Sequence, residues 1–108
     1  MEIDIKQLDY YEPLLRSILT ETESETGLVF RITSQYRIDD TGVHGTMKLR
    51  GTDTSCHVQS IGDAIADHVN SKWQYDPKRP ELVVCRCHKT ASGKLHLHWQ
   101  VHANTIAR

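Results

Sequence analysis

Aromatic side chains are scarce in this chain of 108 residues, with one Phe, two Trp and four Tyr. There is no excess of positive charge either: 13 Lys and Arg stand against 14 Asp and Glu, a formal net charge of −1. Single-stranded nucleic acids are held by exposed rings over a basic groove, and duplexes by a concentrated basic face. Neither ingredient is present, so no nucleic-acid partner is expected. Long apolar runs are missing too. Nothing approaches the ~20 residues of a membrane-spanning helix, and no membrane insertion is expected. Cysteine is limited to Cys56, Cys85 and Cys87. An odd count with no C-x-x-C pair argues against a disulfide framework and against a zinc ribbon. Cys85 and Cys87 share one face of a strand, where they either bind metal or serve as small buried hydrophobes. The N-terminal MEIDIKQLDYY is acidic and lacks the basic and apolar regions of a secretory signal, which predicts synthesis in the cytoplasm.

What remains is an ordinary globular composition, 38% hydrophobic and 25% charged. The chain shows no repeat, low-complexity tract or linker, so residues 1–108 are expected to form a single domain. Leu8, Leu15, Ile18 and Leu19 recur at helical spacing over residues 4–23, with Pro13 fixing the main helix start near Tyr11. LVFRITSQY (28–36) alternates as a strand, RIDDTGVHGT (37–46) is turn-rich, and Met47 to Ser55 resumes a strand-like pattern. Residues 60–73 predict a second helix, with Ser60 and Asp63 as a capping box and Ile61, Ile65, Val69 and Trp73 as its apolar stripe. DPKRP (76–80) ends it. ELVVCRCH (81–88) and KLHLHWQVH (94–102) predict a hairpin around residues 91–93. The order α-β-β-α-β-β implies an α+β fold, an antiparallel sheet with two main helices packed on one face.

Seven histidines are the compositional anomaly. In the last strand Leu95, Leu97, Trp99 and Val101 point one way, and His96, His98, Gln100 and His102 the other. Two imidazoles two residues apart lie ~7 Å from each other. They can share a metal, divide ligation and proton transfer between them, or simply form an exposed polar face. A second cluster is GVHGTMKLRGTD (42–53), where His44 leaves a Gly-flanked loop and Asp53 lies on the following strand. His44 and Asp53 with His98 from a neighbouring strand would make three zinc ligands and leave a fourth position for water, the pattern of catalytic zinc. Arg37 can clamp a substrate carboxylate or pair with Asp39 or Asp40.

The segments TSQYR, DDTGVHG and LRGTD followed by HLHWQV resemble the zinc peptidases that include D-Ala-D-Ala carboxypeptidases, phage L-alanyl-D-glutamate endopeptidases, lysostaphin-type endopeptidases and the hedgehog fold. The resemblance spans roughly residues 33–101. It implies His44, Asp53 and His98 as Zn2+ ligands, Arg37 on a substrate carboxylate or carbonyl, His96 in proton transfer or oxyanion stabilisation, and His88 as a further histidine near the metal. The implied activity is hydrolysis of an amide in peptidoglycan stem peptides, with phage-type release carrying the protein to the cell wall. Carboxypeptidase-type members carry an acidic residue three positions before the final histidine, where this chain has Leu95. Either His96 or a carboxylate such as Glu81 takes that role, or the chain is a zinc-binding phage structural or cell-wall-binding module with weak or no turnover.

Overall fold

A computed structural model describes residues 12–36, 50–89 and 92–108. The predicted features at 4–11 and 37–49, which include His44 and Arg37, lie outside the described residues. Within them the chain forms α1 (Pro13–Thr26), β1 (Ile32–Tyr36), β2 (Gly51–Ser55), α2 (Gln59–Lys72), β3 (Trp73–Gln74), β4 (Cys85–Lys89), β5 (Leu95–Gln100) and β6 (Ile106–Ala107). Four strands make an antiparallel sheet in the order β1-β2-β5-β4. The α+β class and the antiparallel sheet with two helices are therefore as the sequence implies.

Pro13 occupies the first turn of α1, where its missing N–H costs nothing. The helix ends on Gly27, whose φ of 73° is left-handed and whose N–H donates to the Glu23 carbonyl. The expected strand from 28 starts later, at Ile32. The Phe30 N–H is bound by the Glu23 carboxylate at 2.8 Å, so it is spent on a side chain rather than a strand ladder. Leu28 and Val29 are left exposed.

The second helix also differs at its start. Its N-cap is Val58, with no side-chain cap, and Ser60 sits inside the first turn rather than capping it. Asp63 is engaged by the Gln59 amide instead. Ile65 and Val69 are buried as expected, whereas Ile61 is half exposed, and Trp73 has left the helix for the short strand β3. β3 pairs with β6 in a two-stranded sheet that the sequence pattern did not disclose.

One core joins the pieces. Leu15, Ile18 and Leu19 of α1 meet Ile65, Ala66 and Val69 of α2 over Phe30, Cys85, Leu97 and Trp99. Both helices thus cover the sheet face that carries Leu97 and Trp99. Asn70 fastens α2 to β4: its amide donates to the Cys85 carbonyl at 2.7 Å and accepts the N–H groups of Val84 and Cys85. Among the described residues no helix is long and apolar enough to cross a membrane.

Cys85 and Cys87 point to this core side. Burial pushes the Cys85 thiol up, and burial with the neighbouring Cys56 pushes Cys87 up to about 11. Both pack on the core, and among the described residues the group that could hold a metal ion does not include them, so of the two alternatives for this pair the packing role fits. Gly62 of α2 lies directly against these sulfurs. A Cβ at that position would stand 2.5 Å from Cys87 Sγ and 2.8 Å from Cys56 Sγ. Gly62→Ala should therefore destabilise the fold by about 1–3 kcal/mol despite the better helix propensity of alanine. Urea unfolding would read this as a lower midpoint.

Candidate metal centre

The sheet face opposite the two helices carries the polar half of the β5 alternation. Register places Asp53 of β2 and Arg86 of β4 on either side of His98, and Ser55 and His88 on either side of His96. Antiparallel pairing brings directly opposed side chains within ~5 Å of each other. Three strands thereby deliver a carboxylate and three imidazoles to adjacent rows.

The ligand atoms converge further. His98 Nδ1 lies 3.1 Å from Asp53 Oδ1, and one donor atom from each of Asp53, His88 and His98 falls within 4.8 Å of the others. The His88 ring stands edge-on to His98 at 6.0 Å between centroids and tilted to His96 at 6.3 Å. His88 Nε2 is buried and has no hydrogen-bond partner among the described residues. Burying an imidazole nitrogen without a partner is unfavourable. A ligand ion removes that cost.

His98 has an oxygen neighbour at each ring nitrogen. Its Nε2 faces Gln100 Oε1 at 3.4 Å. The Gln100 amide is oriented by donating its Nε2 hydrogen to the Val83 carbonyl at 2.9 Å, which turns Oε1 toward the imidazole. Both His98 nitrogens thus look at oxygen acceptors, while a neutral ring has one N–H to offer. A divalent cation bound at Nδ1 with Nε2–H donated to Gln100 would suit these neighbours, as would an imidazolium donating to both. Tetrahedral zinc with bonds of about 2.0–2.1 Å holds its ligands about 3.3 Å apart. The His98–Asp53 separation of 3.1 Å is already near that. The donor set of nitrogen and carboxylate oxygen suits a divalent ion of zinc type.

Comparison with family models, curated proteins and solved structures finds no match to this chain.

Of the sequence-predicted residues, Asp53 and His98 are in contact and His88 completes the trio. His96 borders it in the next row. Its Nδ1 meets Thr33 Oγ1 at 3.2 Å, and Thr33 also donates to the Asp53 carbonyl at 3.3 Å. Thr33 is delivered by an irregularity in β1, where the register shifts between Ile32 and Ser34; such bulges re-aim side chains. His102, expected on the same face, lies beyond the end of β5 and turns to the Tyr75 ring and the Asn104 N–H. Gln100 and Thr33 carry positioning roles that the sequence did not announce. The H-x-H-x-Q spacing was the available signal for Gln100.

Proposed function

We propose that this chain is a zinc-dependent peptidase that hydrolyses an amide bond in peptidoglycan stem peptides. The single observation that carries the reading is the convergence of Asp53, His88 and His98 on the sheet face opposite the helices. Asp53, His88 and His98 would hold a zinc ion, which would supply Lewis acidity toward a water and a carbonyl. The chain supplies the rest. Asp53 contributes the negative charge that favours a cation, and Gln100 fixes the His98 ring. Thr33 engages His96 Nδ1, which leaves Nε2 as the nitrogen that exchanges a proton with the reacting groups. For Arg37, which lies outside the described residues, the family resemblance implies a contact with a substrate carboxylate.

Incubation of the protein with purified peptidoglycan and zinc should release soluble peptide fragments, and a chelator should stop the release. No release at any zinc level would overturn the enzyme. A second reading, a zinc-binding wall or virion module without turnover, is favoured by one observation: the position three before His98 is the half-buried Leu95, which has no proton to give.

A further inference from the structure

The cysteines come from two distant parts of the chain, and two of them meet. Cys56 follows the last residue of β2 and precedes α2. Cys87 lies in the middle of β4, with its side chain on the helix side of the sheet. They approach each other at Gly62, in the first turn of α2. The place that a Cβ would take there is 2.5 Å from Cys87 Sγ and 2.8 Å from Cys56 Sγ, so only the hydrogen of a glycine leaves room for both sulfurs. The two thiols are within hydrogen-bonding reach of each other. Both are free.

Their surroundings differ. Cys56 lines two surface hollows of about 680 and 390 Å3, and Cys87 lines neither. The Cys56 S–H donates to the Val58 carbonyl at 3.4 Å. Cys87 Sγ accepts from the Gln59 amide at 3.4 Å, and the same amide donates to Asp63 at 2.9 Å. Cys85, the third thiol, is wholly buried. One sulfur is therefore reached from outside, a second stands behind it, and the third is sealed in the core.

We propose that Cys56 and Cys87 are a redox pair that closes into a reversible disulfide when the protein meets a hydroperoxide, with Cys56 oxidised first and Cys87 resolving it. The Cys56 sulfur takes one oxygen from hydrogen peroxide as the O–O bond breaks, giving a sulfenic acid and one water. Cys87 Sγ then attacks the Cys56 sulfur. The S–S bond forms as the S–O bond breaks, and the departing hydroxide leaves with the Cys87 proton as a second water. The two thiols lose two electrons and the peroxide gains them. An S–S bond is about 2.0 Å long, so sulfurs that already meet over Gly62 have a short way to close. The bond ties the entry of α2 to β4 and closes a loop of about thirty residues, which restricts the unfolded chain. It does not depend on the metal centre: Cys87 packs against the core under the helices, whereas Asp53, His88 and His98 converge on the opposite face.

Peptide mapping tests the pair. Trypsin puts the three cysteines on separate peptides, because Lys72 and Lys78 stand between Cys56 and Cys85, and Arg86 between Cys85 and Cys87. The full chain is treated while folded with a small excess of hydrogen peroxide, then unfolded, alkylated and digested. Two of the three thiols should be lost, with the Cys56 and Cys87 peptides joined and Cys85 alkylated. Dithiothreitol should restore all three. Cys87→Ser, checked for folding by circular dichroism, should stop at a sulfenic acid on Cys56 that dimedone captures, and Cys56→Ser should keep both remaining thiols at the same dose. The map of the unaltered chain decides the pairing even where a variant fails to fold. A bond that includes Cys85, a bond between two copies of the chain, or over-oxidation of Cys56 without a bond to Cys87 would each overturn it. So would three intact thiols at a dose that oxidises free glutathione. Dimedone capture on Cys87 of Cys56→Ser, with none on Cys56 of Cys87→Ser, would overturn the assigned order.

Discussion

His98→Ala should purify without zinc, whereas the unaltered chain should carry about one equivalent by metal analysis. His98 and Asp53 are the closest donor pair at the centre, 3.1 Å apart, and a site reduced to two ligands loses most of its affinity. Asp53→Ala should do the same. The informative comparison is between the two candidate third ligands. His88 is supplied by β4 and has a buried Nε2 awaiting a partner. His44 is the ligand that the family resemblance implies. If only one of His88→Ala and His44→Ala strips the metal, the ion has three protein ligands and an open position, as hydrolysis requires. If both do, the ion is enclosed by four side chains, and the structural module replaces the enzyme. His96→Ala should keep the metal and lower turnover by ~10² or more, the usual worth of a positioned acid–base group. Metal content near one for His98→Ala would remove the centre altogether.

Trp99→Ala should lower stability by about 3–5 kcal/mol, a fall in Tm of at least about 12 °C for a domain near this size. Trp99 is fully buried at the middle of the core, with the Phe30 ring 5.0 Å away and tilted against it. Its indole N–H donates to Thr54 Oγ1 at 2.9 Å, and Thr54 is itself wholly buried. Truncation leaves a large cavity and strands a buried hydroxyl. Trp99→Phe retains most of the packing but not the hydrogen bond, and should fall between the two. Thermal unfolding followed by circular dichroism reads both, and a Trp99→Ala protein that melts within about 3 °C of the unaltered chain would contradict this account of the core.

The parts of the fold that could be read in the sequence are those where period and burial agree. In β5 the alternation of Leu97 and Trp99 with His96 and His98 is the sheet's own pleat, so both faces were legible. The body of α2 was legible from Ile65 and Val69 for the same reason. Its start was not, because Ser60 mimics a cap that Val58 occupies, and Ile61 in the first turn is left half exposed. β3 and β6 are two residues each, too short to show any period. At the centre, Asp53 and His98 could be named from their types and order. His88 could be named only as a further histidine near the metal; that it offers a donor atom to the trio depends on how the β4–β5 hairpin registers Arg86 and His88 against His98 and His96. The Thr33 contact depends on an irregular pairing in β1 that no local pattern encodes.

Strand β5 carries its chemistry and its packing on opposite sides of one backbone. Dropping or adding a single residue between Leu95 and Gln100 would drive imidazoles inward and the indole out to water in the same step. Lineages that keep this protein are therefore confined to exchanging side chains in place along that strand, while gaps in its alignment can open only beyond its two ends.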